Sequence, residues 1–194
     1  SDSFTAVYFP WGSSTDLEGN NVFVPPSHMI LRTLAVNDDV AFPWFAPAGI
    51  RRGVVDNATS VGFIKSSTGE KQTIAVSSGI RDTLQSNRLN PISFLTGSGL
   101  TVFGQKTRHS GTSALDRVNV ARLVVFLRTQ LDKLAQPFIF EPNDELTRNE
   151  IKQAVESFLL EVQGQRGLFD FAVVCDETNN LSLIHISEPT RRSV

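Results

Sequence analysis

The chain is poor in several residue types. Its 194 residues include one cysteine, one methionine, one tyrosine, two tryptophans and three histidines. The single cysteine, Cys175, excludes an intramolecular disulfide framework and fits an intracellular folding compartment. It lies in the apolar run FAVVCD and reads as a buried filler rather than a nucleophile. His28, His109 and His185 are far apart, without an H-x-H or H-x-x-x-H pair, so the spacing writes no metal site. Positive charge is not in excess: the net charge is −2, and no global basic field argues for nucleic acid. No apolar run approaches the ~20 residues a spanning helix needs, which argues against membrane insertion. The opening SDSFTAVYF has no basic leader, and Ser1 in place of methionine reads as a trimmed fragment.

Phenylalanine, by contrast, is abundant, at fourteen residues. It is a hydrophobe without a polar handle, and this number suggests apolar surface to spare for partner contacts. FTAVYF at 4–9 predicts a strand, and GSSTDLEGNN a loop. Pro25 and Pro26 open a short helix ended by Asn37 and the acidic pair Asp38-Asp39. FPWFAPAGIRRG, at 42–53, carries two prolines that fix φ and remove donors. Trp44, Phe45 and Ile50 resist solvation, so it reads as an irregular segment packed on a core or a partner. KSSTGEKQTI predicts an exposed hairpin loop joining two edge strands. A short helix spans about Ile80 to Gln85, stopped before Asn90-Pro91. Ile92–Leu95 and Leu100–Phe103 flank the glycine turn TGSG, the clearest strand pair in the chain. GSG lacks the lysine and helix of a phosphate-binding loop.

Val120, Val124, Leu127, Leu131 and Leu134 give one face of a helix from about Leu115 to Ala135, ended by Pro137. FIFEPND predicts a short extended piece. Thr147 and Glu150 read as a capping box for a second long helix, with Ile151, Val155, Phe158, Leu159 and Val162 as its stripe and Gly164 at its end. A strand is expected from about Phe169 to Cys175. The fold class is therefore α/β (α+β): a mixed β-sheet flanked by two long helices.

Chemistry is hard to find in this pattern. No G-x-S-x-G is present, and Ser98 or Ser110 beside His109 reads as a polar loop rather than a nucleophile with its base. The carboxylate pairs lie at turns, where acids cap helices. The basic groups Arg51, Arg52, Lys106 and Arg108 suit phosphates or carboxylates on another subunit equally well. The near-neutral net charge favours protein, since self-assembly needs both signs on one molecule.

Seven stretches go further: YFPW, VPPSH, APAG, LTVFGQKTR, RVNVARLVVFL, FIFEPND and GLFDFAVVCDETNN, in that order. Together they resemble the conserved domain of contractile tail sheath proteins of tailed bacteriophages, a family shared with bacteriocin and type VI secretion sheaths. The resemblance covers about residues 5–180. Phe103 stands where the family's VWGaRT element has tryptophan, and in VNVARL Ala121 replaces the first arginine of iNvRRL while Arg122 keeps the second.

The resemblance implies a structural, non-enzymatic subunit of the virion without cofactor. Such a subunit is assembled in the host cytoplasm and polymerises into a helical sheath around a tail tube protein. Baseplate and tail terminator proteins bound the sheath, and its contraction drives the tube through the host envelope. Neighbouring subunits exchange strands by β-augmentation. Arg51, Arg52, Lys106, Arg108, Arg122 and Asp176 are then the candidate subunit or tube contacts, with no direct nucleic acid contact. Residues 1–180 are expected to form a sheath domain fragment with a peripheral subregion at 55–78, and 181–194 a non-native or disordered tail. The rival readings are a bacteriocin or secretion sheath and a small hydrolase with a pocket at the basic loop 105–110.

Overall fold

The computed structural model describes residues 2–176 and 179. The expected tail at 181–194 lies outside the described residues. The chain divides into two compact units, Ser1–Val124 and Val125–Val194.

The first unit holds two sheets where the sequence suggested one. β1 (Tyr8–Phe9), β6 (Asn90–Leu95) and β7 (Gly99–Val102) form a three-stranded mixed sheet, with β1 parallel and β7 antiparallel to β6. β2 (Trp11–Thr15), β3 (Asn21–Val24), β4 (Ser60–Ile64) and β5 (Lys71–Thr73) form an antiparallel sheet in the order β3-β2-β4-β5. The helices are α1 (Pro26–Val40), the single turn α2 (Gly49–Arg52), α3 (Ser78–Ser86) and the start of α4 (Val118–Ala135). The core joins both sheets to α1 through Met29, Ile30, Val55, Val61, Val76, Ile92, Leu100 and Val102. Met29, Ile92 and Val102 are fully buried, and each stabilises the unit by roughly 1.5–3 kcal/mol. Gly12 is required by close approach: a Cβ there would collide with the Met29 thioether.

Several expectations change in this setting. The strand expected at 4–9 shrinks to β1, because Asp2–Phe4 is a 3₁₀ turn and β6 pairs only with Tyr8 and Phe9. GSS, expected to be loop, is strand β2, because β3 and β4 pair with it on either side. Tertiary pairing overrides poor local propensity here. The loop is confined to residues 16–20, where the Asp16 carboxylate accepts from the Glu18 and Asn20 amides. The hairpin around residues 65–70 forms as expected, with β5 at the sheet edge but β4 inside it. α1 runs through Asn37, Asp38 and Asp39 instead of ending there, since Asn37 is buried and bonded to the loop that follows.

In the second unit α4 ends where Pro137 requires, passing into a 3₁₀ turn at Gln136–Phe138. FIFEPND is therefore turn, not strand. α5 (Glu145–Gly164) is capped by Asp144, whose carboxylate accepts from the Thr147 amide at 2.8 Å. The expected capping box thus sits three residues too late, because Asp144 reaches the free first-turn amides first. Phe126 and Phe158 pack with ring centroids 6.2 Å apart, and Leu159 and Val162 are buried. Residues 170–176 alternate in exposure but pair with no strand among the described residues, so the expected strand at 169–175 is not formed. Cys175 is half-buried rather than buried.

Two pH effects follow. Burial pushes the Tyr8 phenol up to about 12, against a lowering by the nearby Arg122 charge. A raised value means stability complete below the unfolded value near ~10 and lost as pH rises through about 12. Tyr8 is the sole tyrosine, so an ultraviolet titration of phenolate reports it alone, and a midpoint near ~10 in the folded protein would contradict its burial. Hydrogen bonds from the Thr147 amide and then its side chain hold the Asp144 carboxyl below the usual carboxylate range. Its contribution is present above the unfolded value and lost as pH falls through the folded one. Asp144→Ala is expected to lower the thermal midpoint at neutral pH, with the gap to the parent closing in acid.

Candidate functional site

The segment after α1 has no regular backbone pairing, so its carbonyls need other donors. Four successive carbonyls each take one side-chain N–H. Pro43 O accepts from the Arg122 guanidinium at 3.3 Å and Trp44 O from Asn119 Nδ2 at 3.2 Å. Phe45 O accepts from Asn37 Nδ2 at 3.4 Å and Ala46 O from Arg52 Nε at 3.3 Å. The donors come from α1, α2 and α4, so the segment is braced from three helices. Asn37 and Asn119 spend their amides this way and leave Oδ1 buried without a partner.

The aromatics complete the brace. Phe42 stacks on Trp44 with centroids 4.8 Å apart and planes 7° from parallel, and the Arg52 guanidinium lies 4.8 Å above the Phe45 ring. Trp44 itself is buried. Arg122 also grips Asp38 with one nitrogen at 2.7 and 2.5 Å from the two carboxylate oxygens. The planar guanidinium presents one nitrogen to the carboxylate and another to the Pro43 carbonyl, where an ammonium would have a single nitrogen for both.

A second fastening lies at the loop after β7. Asn90 is fully buried. It donates to Val7 O at 3.1 Å and Lys106 O at 2.8 Å, and accepts from the Lys106 amide at 2.6 Å. Gly104 lies so close to Asn90 Oδ1 that a Cβ would stand 2.8 Å from it. Between this loop and the braced segment runs an open cleft of about 450 Å³, lined by Ala46, Ala48, Gly49, Gln85, Phe103–Lys106, Asp116 and Arg117.

The six expected contact residues do not form one cluster. Arg51 is exposed, whereas Arg52 is folded back on Phe45 and Ala46 O. Arg122 is held by Asp38 and Pro43. Lys106 Nζ donates to Gln85 O at 3.1 Å and Arg108 to Asn87 O at 3.0 Å. Asp176 lies in the second unit, its amide donating to Asn179 Oδ1 at 3.1 Å. His109 meets neither Ser98 nor Ser110 but Ser3, at 2.9 Å, and Ser3 is buried at 3 % exposure, out of reach of a substrate. Among the described residues no group of three His, Cys, Asp or Glu is placed to hold a metal. No described helix is long and apolar enough to cross a membrane.

Asn37, Asn90 and Asn119 were missed in the sequence. The available signal was a polar residue on an otherwise apolar helix face for Asn37, and an Asn-Pro pair heading an apolar strand for Asn90. Arg122→Met is expected to cost about 2 kcal/mol in denaturant unfolding, with Arg122→Lys recovering little of it. Asn90→Ala, which takes the side-chain partner from the Lys106 amide and carbonyl while Val7 O keeps the residue-90 amide, is expected to cost about 2 kcal/mol. A loss below about 0.5 kcal/mol in either would show that the fastening does not hold the loop.

Residues 110–189 match the family model of the phage tail sheath C-terminal domain. The chain is 34 % identical over 160 residues to the tail sheath protein of Vibrio phage KVP40, covering 82 % of this chain and 22 % of that protein. It is 31 % identical over 160 residues to the tail sheath protein of Enterobacteria phage T4, covering 82 % and 23 %. The chain thus spans under a quarter of the length of these curated relatives. Its fold is similar to the helical sheath of the anti-feeding prophage in its contracted state, with a TM-score of 0.71 and 24 % identity over 89 % of this chain and 44 % of that one. The chain is thus similar over most of its length to contractile tail sheath proteins, and its residues 110–189 match the family of their C-terminal domain.

Proposed function

We propose that this chain is part of a subunit of a bacteriophage contractile tail sheath, polymerising around a tail tube and contracting to drive it through the host envelope. The observation that carries the reading is the 34 % identity to a phage tail sheath protein along 82 % of the chain. The geometry agrees with it. A segment braced on four consecutive carbonyls is suited to keep its shape while the packing between copies changes, as a rigid-body rearrangement requires.

In this reading the work is mechanical rather than catalytic. The partners are further copies, the tube, the baseplate and the terminator, in a virion tail assembled in the host cytoplasm. Residues 1–180 supply the sheath domain portion. Arg51 and Arg108, both exposed, are offered as contacts to a neighbour or to the tube. Arg52 and Arg122 act beneath them by holding the surface in shape, and Lys106 lines the adjoining cleft. Asp176 belongs to the C-terminal side of the contact set. The likeness in fold to the anti-feeding prophage sheath favours a non-virion contractile injection machine as the second reading. A capsid gene beside this reading frame decides for the virion.

Electron microscopy of the protein at its full genomic length tests the proposal. Hollow tubes of regular pitch are expected, and a dispersed protein at high concentration would overturn it. Arg51→Glu and Arg108→Glu, which leave the four-carbonyl brace and the Asn90 fastening in place, are expected to reduce tube formation about tenfold or more, whereas unchanged tubes would remove both residues from the contact set.

A further inference from the structure

The cleft beside the braced segment has a floor of Ala46, Ala48, Gly49 and Phe103. Its rim is basic. Lys106 and Arg117 line it, set side by side by an isolated bridge. Arg81 lies 4.7 Å above the Phe103 ring, and Arg52 is bonded to Ala46 O. Lys106 and Arg117 are the lining cations, with Arg52 and Arg81 behind them, and the one lining carboxylate is Asp116, 3.8 Å from Arg117. Gln105 Oε1, also on the lining residues, is buried without a hydrogen-bond partner. An apolar floor, a cationic rim and an idle acceptor suit a short acidic peptide with one large apolar anchor.

The chain carries such a peptide. In the second unit the turn after α4 presents Phe140 at 97 % exposure and Ile139 at 59 %. Beside them stand Glu141, Asp144 and Glu145, all exposed, with Arg148 as the opposing charge on the same element, itself bonded to Asn143. The turn is stiffened by Pro137, Pro142 and the Asp144 cap, so little freedom is lost when it docks. Phe169, equally exposed beside Asp170, has its carbonyl held by Gln163 Nε2 but no flanking proline.

We infer that the Phe140–Glu141 turn of one copy docks in the cleft between Ala46–Gly49 and Phe103–Lys106 of another. Phe140 enters the apolar floor and Glu141 meets Arg117 and Lys106. This rests on the self-assembly proposed above and names the surfaces that make one of its contacts.

The test places the photo-cross-linking residue p-benzoylphenylalanine at position 140 and mixes isotope-labelled with unlabelled copies of the 194-residue chain. Links between copies are expected from position 140 to residues 46–49 or 103–106. Arg117→Glu, at an exposed side chain, is expected to reduce them about tenfold, and Glu141→Arg in the mixed partner to restore them. Phe140→Asp, also at the surface, is expected to weaken association of the otherwise unlabelled chain to a similar degree. Absence of links between copies, links only within a chain, links to other surfaces, or yields indifferent to charge reversal would each overturn the docking mode. Tubes that form while these links are absent sink the docking mode and leave the sheath reading standing. A full-length protein that forms no tubes sinks the sheath reading itself.

Discussion

The structure turns on one constraint: an irregular backbone must have its carbonyls satisfied. Residues 43–46 belong to no helix or strand, yet Trp44 in their midst is buried. An unpaired buried carbonyl is costly, and the single turn bond from the Phe45 amide to Phe42 O leaves the four carbonyls of 43–46 to side-chain donors. Asn37, Arg52, Asn119 and Arg122 supply one N–H each. That demand explains why α1 extends past its apparent stop and why α4 begins with two polar residues facing inward. It also explains the doubled arginine, whose members divide the labour. Arg52 closes the brace from inside, and Arg51 stays at the surface.

The same logic repeats at Asn90, where one buried amide ties β1, the head of β6 and the loop after β7. Both fastenings use side chains to do what a ladder does elsewhere. The outcome is a cleft bounded by two fastened walls. A surface of this kind suits repeated contact with identical neighbours better than it suits an induced-fit pocket.

The second unit is different in kind. Its helices carry an apolar stripe and a sharp cap, but the segment at 170–176 keeps the alternation of a strand without a ladder partner among the described residues. Phe140 and Phe169 stand fully exposed. The abundance of phenylalanine is thus met by aromatic side chains left outside a core.

The sequence by itself determined the periodic elements. The helix expected at about 115–135, which begins at Val118 after a 3₁₀ turn at Ala114–Asp116, its stop at Pro137, the long helix ending at Gly164, and the strand pair across TGSG were legible, because their periods and breakers act locally. The short motifs also sufficed to point to the family, since their order along the chain needs no coordinates. Tertiary structure alone decided the rest. It made GSS a strand by placing partners on both sides, split one expected sheet into two, and moved the cap from Thr147 to Asp144. It also paired His109 with a serine 106 residues away, and brought donors from three helices to four adjacent carbonyls. Hydrogen bonds between side chains and distant backbone carry no period, so a linear reading has nothing by which to find them.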